Sequence, residues 1–270
     1  IEDQKTVEEI ERGINLVGAT SFNYYHLVIE ILSKLAFVDS CVEYREYPLL
    51  VDEVVLRIPQ FHSALNCINR LNHPVIQIDK GKKYLVRDMV LPSSNVWMPT
   101  NVYSREQMRV EDFMISDTVL NNVRNSVGIW QDRPAWRKIF VSRKNTQTVR
   151  LKNEEEVRDL FAQHGFEIIY TEEMSFRQQV ECFGQAKCVV AATGAALTNM
   201  VFCQPETLIG CIIPAQDNFC MYSTIGYLLG LKLLFLDAEI IELTPYVAAD
   251  TFILDTDYVR RYIKTIQQTL

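Results

Sequence analysis

The chain has 270 residues, with 27 Lys plus Arg against 34 Asp plus Glu, a net charge of −7, 48% hydrophobic residues and 23% charged ones. That composition excludes a disordered or collagen-like chain, and the length predicts about two domains, each able to bury a core. An acidic chain with a pI near 5.2 and no Lys/Arg block gains nothing from the phosphate electrostatics that dominate nucleic-acid binding, which sets DNA and RNA aside as main partners.

The first clear period is helical, over 22–35. Tyr24, Leu27, Val28, Ile31, Leu32 and Leu35 share one face, and Asn23, His26, Glu30 and Ser33 form a polar stripe on another. A strand is predicted over 54–58, a helix over 61–71, and strands over 75–78 and 84–91, so the N-terminal half reads as α/β. Residues 121–137 hold Gly128, Pro134 and two Trp, which places a linker near 131–135 and divides the chain into lobes 1–130 and 131–270.

The C-terminal half has sharper punctuation. A strand over 138–142 precedes a helix that Asn153 can cap, with Glu154, Glu155 and Glu156 in its first turn and Glu156 at the capping-box position. Gly165 should stop that helix, and a strand follows over 167–170. Ser175 with Gln178 repeats the capping signal for a helix to about Lys187. A buried strand over 188–192, a helix after 193–196 ending by Pro205, a strand over 208–213, a helix over 219–229 stopped by Gly230 and a strand over 231–236 complete the series. Five strands with intervening helices imply a parallel sheet covered on both faces, and two such lobes bind ligands beyond the carboxyl ends of their strands.

Three constellations carry chemistry. His26 and Glu30 stand four residues apart on the polar stripe, the arrangement in which a carboxylate fixes the tautomer of a general base and stabilises its imidazolium. The same pattern also describes a solvated helix face with one surface histidine. Ser142-Arg143-Lys144, with Arg150 seven residues after Arg143, puts basic groups past a strand end, where they can meet phosphate or form an ordinary basic loop. Thr193-Gly194-Ala195-Ala196-Leu197-Thr198-Asn199 offers small residues and a helix start to a pyrophosphate, or tight strand-to-helix packing. Its single glycine matches neither G-x-G-x-x-G nor G-x-x-x-x-G-K-[ST], which counts against a nicotinamide enzyme and a P-loop NTPase.

The remaining signals are structural. Asp255-Thr256-Asp257 reads as a helix cap rather than a metal-binding D-x-D, the four His lack metal spacing, and there is no G-x-S-x-G. Seven cysteines, odd in number, never spaced C-x-x-C and mostly within apolar runs, read as reduced core residues. With no Asn-x-Ser/Thr sequon and no signal-like start, a cytoplasmic location is expected. Lys34, residues 193–199 and Lys232 break the longest apolar stretches, so no membrane span is expected.

In order and spacing, four segments resemble glycosyltransferase family 61. Its N-Y-Y-H-W-x-x-E-like helix is similar to 23–30, its I-S-R block ending in N-E-x-E-V to 141–157, its E-x-x-S-F-x-x-Q-V run to 172–180, and its H-G-A-x-L-T-N-x-x-F signature to 193–202. Thr193 stands where the family has His. The resemblance implies a GT-B-like fold, two Rossmann-like lobes with parallel sheets facing a central cleft, and leaves the last helix free to pack back on the N-terminal lobe. It implies inversion at the anomeric carbon with no obligatory metal and no cofactor beyond the nucleotide-sugar co-substrate.

In that frame Arg143, Arg150 and the amides around Gly194, Ala195 and Ala196 neutralise the donor diphosphate, with Thr193, Thr198 and Asn199 also at the donor. His26, seconded by Glu30, takes the acceptor proton, or Glu30 does so itself, and Asn23 and Tyr25 line the acceptor. The expected partners are a nucleotide-sugar and a glycan or glycolipid acceptor in surface polysaccharide synthesis, capsular or lipopolysaccharide, with further domains or a homo-oligomer left open. The alternative is a catalytically weak or inactive nucleotide- or glycan-binding scaffold of the same fold.

Overall fold

The computed structural model describes residues 7–94, 96–97, 113–128, 134–144, 150–215, 221–244 and 250–270. The linker expected over 131–135 lies mostly outside them, as does Cys220. The chain forms two compact units. One holds the described residues up to Val96 together with Ser116–Gly128; the other takes Trp97, residues 113–115 and the described residues from 134 onward.

The first unit opens with β1 (Val7–Asn15), followed by a π-helical turn over His26–Ile31, a 3-10 turn over Leu32–Lys34 and α1 (Leu35–Asp39). Then come β2 (Leu49–Asp52), α2 (Glu53–Arg57), α3 (Pro59–Ile68), β3 (Val75–Ile78) and β4 (Lys83–Val90). A short pair, β5 (Val96–Trp97) and β6 (Met114–Ile115), precedes α4 (Asp117–Val127), which returns to the helices of this unit. The four-stranded sheet has the order β3-β2-β1-β4, and every pairing in it is parallel.

Two sequence expectations change here. Residues 54–57 form helix rather than strand, with Ile58 extended at its end. A short apolar run such as Val54-Val55-Leu56 is ambiguous between the two, and the buried strand is the preceding Leu49-Leu50-Val51. The sequence reading also missed β1, where Glu8, Glu9, Glu11 and Arg12 interrupt the apolar pattern. Seven registered pairs to β4 hold it through the backbone, while of its side chains only that of Ile14 is buried.

The second unit contains β7 (Arg137–Ser142), α5 (Glu154–Gln163), β8 (Glu167–Tyr170), α6 (Phe176–Gly184) and β9 (Ala186–Ala192). A 3-10 helix over Ala195–Phe202, β10 (Leu208–Ile213), α7 (Met221–Leu229), β11 (Lys232–Asp237), β12 (Glu239–Glu242), β13 (Thr251–Ile253) and α8 (Thr256–Thr269) complete it. The five predicted strands form one fully parallel sheet in the order β11-β10-β9-β7-β8. Its punctuation matches the sequence: Gly165 and Gly230 take φ values of +77° and +65° at their helix ends, Ser175 and Gln178 form the reciprocal capping box, and the Asp255 carboxylate accepts from Tyr258 N at 2.6 Å to cap α8. Helix α6 ends at Gly184, earlier than expected, because the Gln185 carbonyl accepts the Trp136 and Arg137 amides and draws the chain into β9.

The core of this unit is aromatic. Phe161 stacks on Phe140 at 5.2 Å and meets Phe166 edge-on at 5.0 Å, each burial contributing roughly 1.5–3 kcal/mol. Val259, Tyr262, Ile263 and Ile266 of α8 belong to the same buried cluster, so the last helix packs on its own unit's sheet. Burial pushes the thiols of Cys188 and Cys211 up to about 12, in keeping with inert core residues. Among the described residues no helix is long and apolar enough to cross a membrane.

Asn153 stands at the start of α5 but makes no side-chain cap. Its amide instead donates to Leu254 O at 2.8 Å, and its Oδ1 accepts from Leu254 N at 3.1 Å, fastening the chain after β13 to the start of α5. Nor does Glu156 complete a capping box there. Asn153→Asp should therefore destabilise the protein by about 1–3 kcal/mol, because a carboxylate cannot donate to the Leu254 carbonyl. A urea midpoint equal to or above that of the parent would restore the cap role, in which Asp serves as well as Asn.

Candidate functional site

In the five-stranded sheet the chain runs from β7 outward to β8, then returns to the other side of β7 with β9 and continues to β10 and β11. The order reverses between β7 and β9. In open parallel sheets the crevice beyond the carboxyl ends of such a strand pair is where ligands bind. Arg143 follows β7 directly, and Thr193-Gly194 follow β9.

The two strand ends are joined by side-chain to backbone bonds. Arg143 Nη2 donates to Thr193 O at 2.9 Å, which lays the guanidinium across Gly194. A Cβ built on Gly194 would stand 1.9 Å from that same nitrogen. The glycine also has φ +154° and ψ 175°, a conformation essentially closed to other residues. Beneath it, the buried Tyr222 hydroxyl of α7 accepts from Gly194 N and donates to Gly194 O, both at 3.0 Å. Desolvation pushes this phenol up to about 12, so it stays a neutral donor.

The Gly194 amide thus points into the protein and not toward a ligand. Gly194, Ala195 and Ala196 remain partly exposed beside the half-buried Arg143, and first-turn amides such as those of Ala195 and Ala196 have no intrahelical acceptor.

Other predicted donor residues lie deeper. Thr193, Thr198 and Asn199 are at most 1% exposed. Asn199 Nδ2 donates to Gln179 Oε1 at 2.8 Å, and Gln179 in turn donates to the carbonyls of Thr171 and Met174. These residues support the turn from below. Arg150 is also buried, 4% exposed, with its guanidinium over the Phe252 ring and Nε donating to Asp250 O at 3.1 Å. It braces residues 250–252. The loop at 145–149 lies outside the described residues.

The sequence reading missed two residues that shape this site. Tyr222 lacked any signal, since a tyrosine in an apolar helix looks like core. Glu154, assigned to the helix dipole, is buried and accepts from Ser142 Oγ at 2.6 Å and from Arg143 N at 2.8 Å through one oxygen, Oε1.

His26 and Glu30 lie in the first unit, on the π-helical turn whose closing bond runs from Leu32 N to Leu27 O, five residues back. Val28, Ile29 and Ile31 are β-branched, which weakens an ordinary α turn, and π turns of this kind occur often at functional sites. Leu27, Val28, Ile29 and Ile31 are buried, leaving the His26 and Glu30 side chains 19% and 21% exposed. His26 Nδ1 lies 2.8 Å from Glu30 Oε2, close enough for an ion pair but off the line of a hydrogen bond.

Neighbouring residues are more constrained than the stripe suggested. Asn23 Oδ1 accepts from Tyr25 N at 2.9 Å at the helix start, Tyr25 is buried edge-on to the imidazole at 5.4 Å, and Ser33 is buried with its hydroxyl on Ile29 O. Lys34, four residues beyond Glu30, has its ammonium pKa lowered by desolvation, with Glu30 opposing the shift.

A family model described as glycosyltransferase 61 matches residues 24–210, more than half of the chain, and spans both His26–Glu30 and the Arg143–Gly194 turn. No curated protein matches. Among solved structures, an E. coli heptosyltransferase WaaC with ADP is similar at 12% identity, over 96% of this chain and 99% of that one, with a TM-score of 0.37.

The glycine turn yields a direct test. Gly194→Ala should lower stability by about 1–3 kcal/mol through backbone strain and displace the Arg143 guanidinium. In an Arg143→Ala background the same change should cost less, because the steric part is gone. Equal costs in the two backgrounds, measured by denaturant unfolding, would mean that the guanidinium does not lie over Gly194.

Proposed function

The chain belongs to glycosyltransferase family 61, and from that premise we propose that it transfers a sugar, with inversion, from a nucleotide-diphosphate donor to a hydroxyl of a glycan or glycolipid acceptor. The observation that carries the reading is the Arg143 guanidinium fixed over Gly194 where the strand order reverses. As the bond to the anomeric carbon breaks, charge grows on the leaving diphosphate, and a pre-set cation stabilises that charge without having to reorganise. Arg143 and the Ala195 and Ala196 amides supply this stabilisation, with Thr193, Thr198 and Asn199 holding the turn beneath them. Arg150 acts at a remove, through the 250–252 segment.

The acceptor step needs a base. His26, polarised by Glu30 2.8 Å away, accepts the hydroxyl proton while the oxygen attacks the anomeric carbon, and the carboxylate stabilises the imidazolium formed. Asn23 and Tyr25 shape the acceptor side. Charge neutralisation by an arginine and backbone amides makes a metal dispensable in this scheme. The product belongs to surface polysaccharide made in the cytoplasm.

A second reading, nucleotide or glycan binding without turnover, is favoured by Thr193, a buried residue standing where the family has an imidazole.

Calorimetry against UDP, GDP, CDP and ADP without added metal should reveal binding by at least one, and Arg143→Ala should weaken it by about 1.5–3 kcal/mol, the scale of hydrogen bonds to charged groups. Unchanged affinity would remove Arg143 from the donor site. His26→Ala and Glu30→Gln should each lower turnover with nucleotide affinity retained. Full turnover in both would refute the base assignment, and binding by a parent protein with no turnover on any sugar conjugate would support the second reading.

A further inference from the structure

Arg143 can serve a diphosphate only if the turn carrying it is fixed before the ligand arrives. Its side chain donates to Thr193 O, and the backbone beneath it is held by a group from another element. Glu154, the first residue of α5, brings Oε1 to 2.6 Å from Ser142 Oγ and 2.8 Å from Arg143 N. Ser142 is 2% exposed and Glu154 9%, so these bonds form out of water, where a hydrogen bond to a charged acceptor is strong. The carboxylate also lies at a helix start, whose partial positive charge favours it. The next amide is held in the same fashion, Lys144 N donating to Glu172 Oε1 at 2.6 Å. Two successive amides beyond β7 thus end on carboxylates from two different elements, which stops the turn from swinging away from Gly194.

We propose that Glu154 is the positioning residue of the donor site: by accepting from Ser142 and Arg143 together, it fixes the exit of β7 so that the Arg143 guanidinium faces the diphosphate. This rests on the reading of Arg143 as the diphosphate ligand. Glu154 itself touches no substrate. The role is that of an oxygen acceptor of fixed reach: charge strengthens the two bonds, but side-chain length sets where they hold the turn.

The test is a double-mutant cycle read by calorimetry, using whichever of UDP, GDP, CDP and ADP binds the parent protein most tightly, with folding checked by thermal melting. Glu154→Ala should weaken binding about tenfold, and Glu154→Asp, which keeps the charge but draws the oxygen back by one methylene, should weaken it comparably. Glu154→Gln, which keeps an oxygen at the same reach, should recover most of the affinity. In the Arg143→Ala background, Glu154→Ala should cause no further loss, because Glu154 acts through Arg143.

Losses that simply add would overturn the positioning role while leaving Arg143 as a ligand. Loss in Glu154→Gln equal to that in Glu154→Ala would show that charge, not position, is what matters, and would overturn it too. If Arg143→Ala alone leaves affinity unchanged, or no nucleotide binds the parent, the donor-site reading fails and this inference falls with it. Should Glu154→Ala not fold, the Asp and Gln variants decide the matter.

Discussion

The Arg143–Gly194 contact constrains much of the second unit. A guanidinium 2.9 Å from a backbone carbonyl, crossing a residue where any Cβ would collide with it, requires several conditions to hold together. The residue must be glycine, the turn must sit at one height relative to β7, and the polar groups of the glycine's own peptides must be satisfied on the far side. Tyr222 meets the last condition and Glu154 the second. The parallel register that aligns Val141 with Ala191 brings the two strand ends level. A cation poised at a strand-order reversal is therefore the joint product of sheet register, one glycine, one phenol and one carboxylate.

The first unit solves a different problem. Its candidate base and carboxylate come from a single helix, so no tertiary register is needed to bring them together; four residues of chain suffice. What tertiary structure adds is burial. Leu27, Val28, Ile29, Ile31 and Leu32 are withdrawn from solvent, which leaves His26 and Glu30 as the part-exposed polar groups of a segment otherwise enclosed. A largely enclosed helix has little freedom to rotate, and the pair is held by its apolar neighbours more than by its own contact, which is close but misaligned.

Legibility in the sequence follows the range of the interactions. The five-stranded sheet was readable because its strands are continuous apolar runs and its helix ends carry local chemistry: Gly165, Gly230, the Ser175–Gln178 box and the Asp255 cap all act within a few residues. β1 was hidden because its stability comes from ladder bonds to β4, 76 residues away at Ile14 and Val90, and not from apolar side chains. Residues 54–58 misled because a short β-branched run has no period long enough to separate helix from strand. At the site, Arg143 and Gly194 were found from position after a strand. Glu154 and Tyr222 were missed because their roles are hydrogen bonds across 11 and 28 residues. Arg150, Asn153 and Asn199 were read as local or ligand-facing groups and instead bond to residues far along the chain.

The π turn at His26–Ile31 bears on how this segment tolerates change in length. A five-residue closing bond accommodates one residue more than an α turn does, so the bulge behaves as an inserted residue absorbed within a continuous helix. Removing one residue between Leu27 and Leu32 would let the helix regularise, with little cost in hydrogen bonds. Losing Val28 or Ile29 would also shorten the spacing of His26 and Glu30 from four residues to three, and residues three apart in an α-helix still lie on one face. Losing Ile31 would leave that spacing unchanged. Single-residue length variation here, which in most surface helices is merely disruptive, would leave the histidine beside its carboxylate.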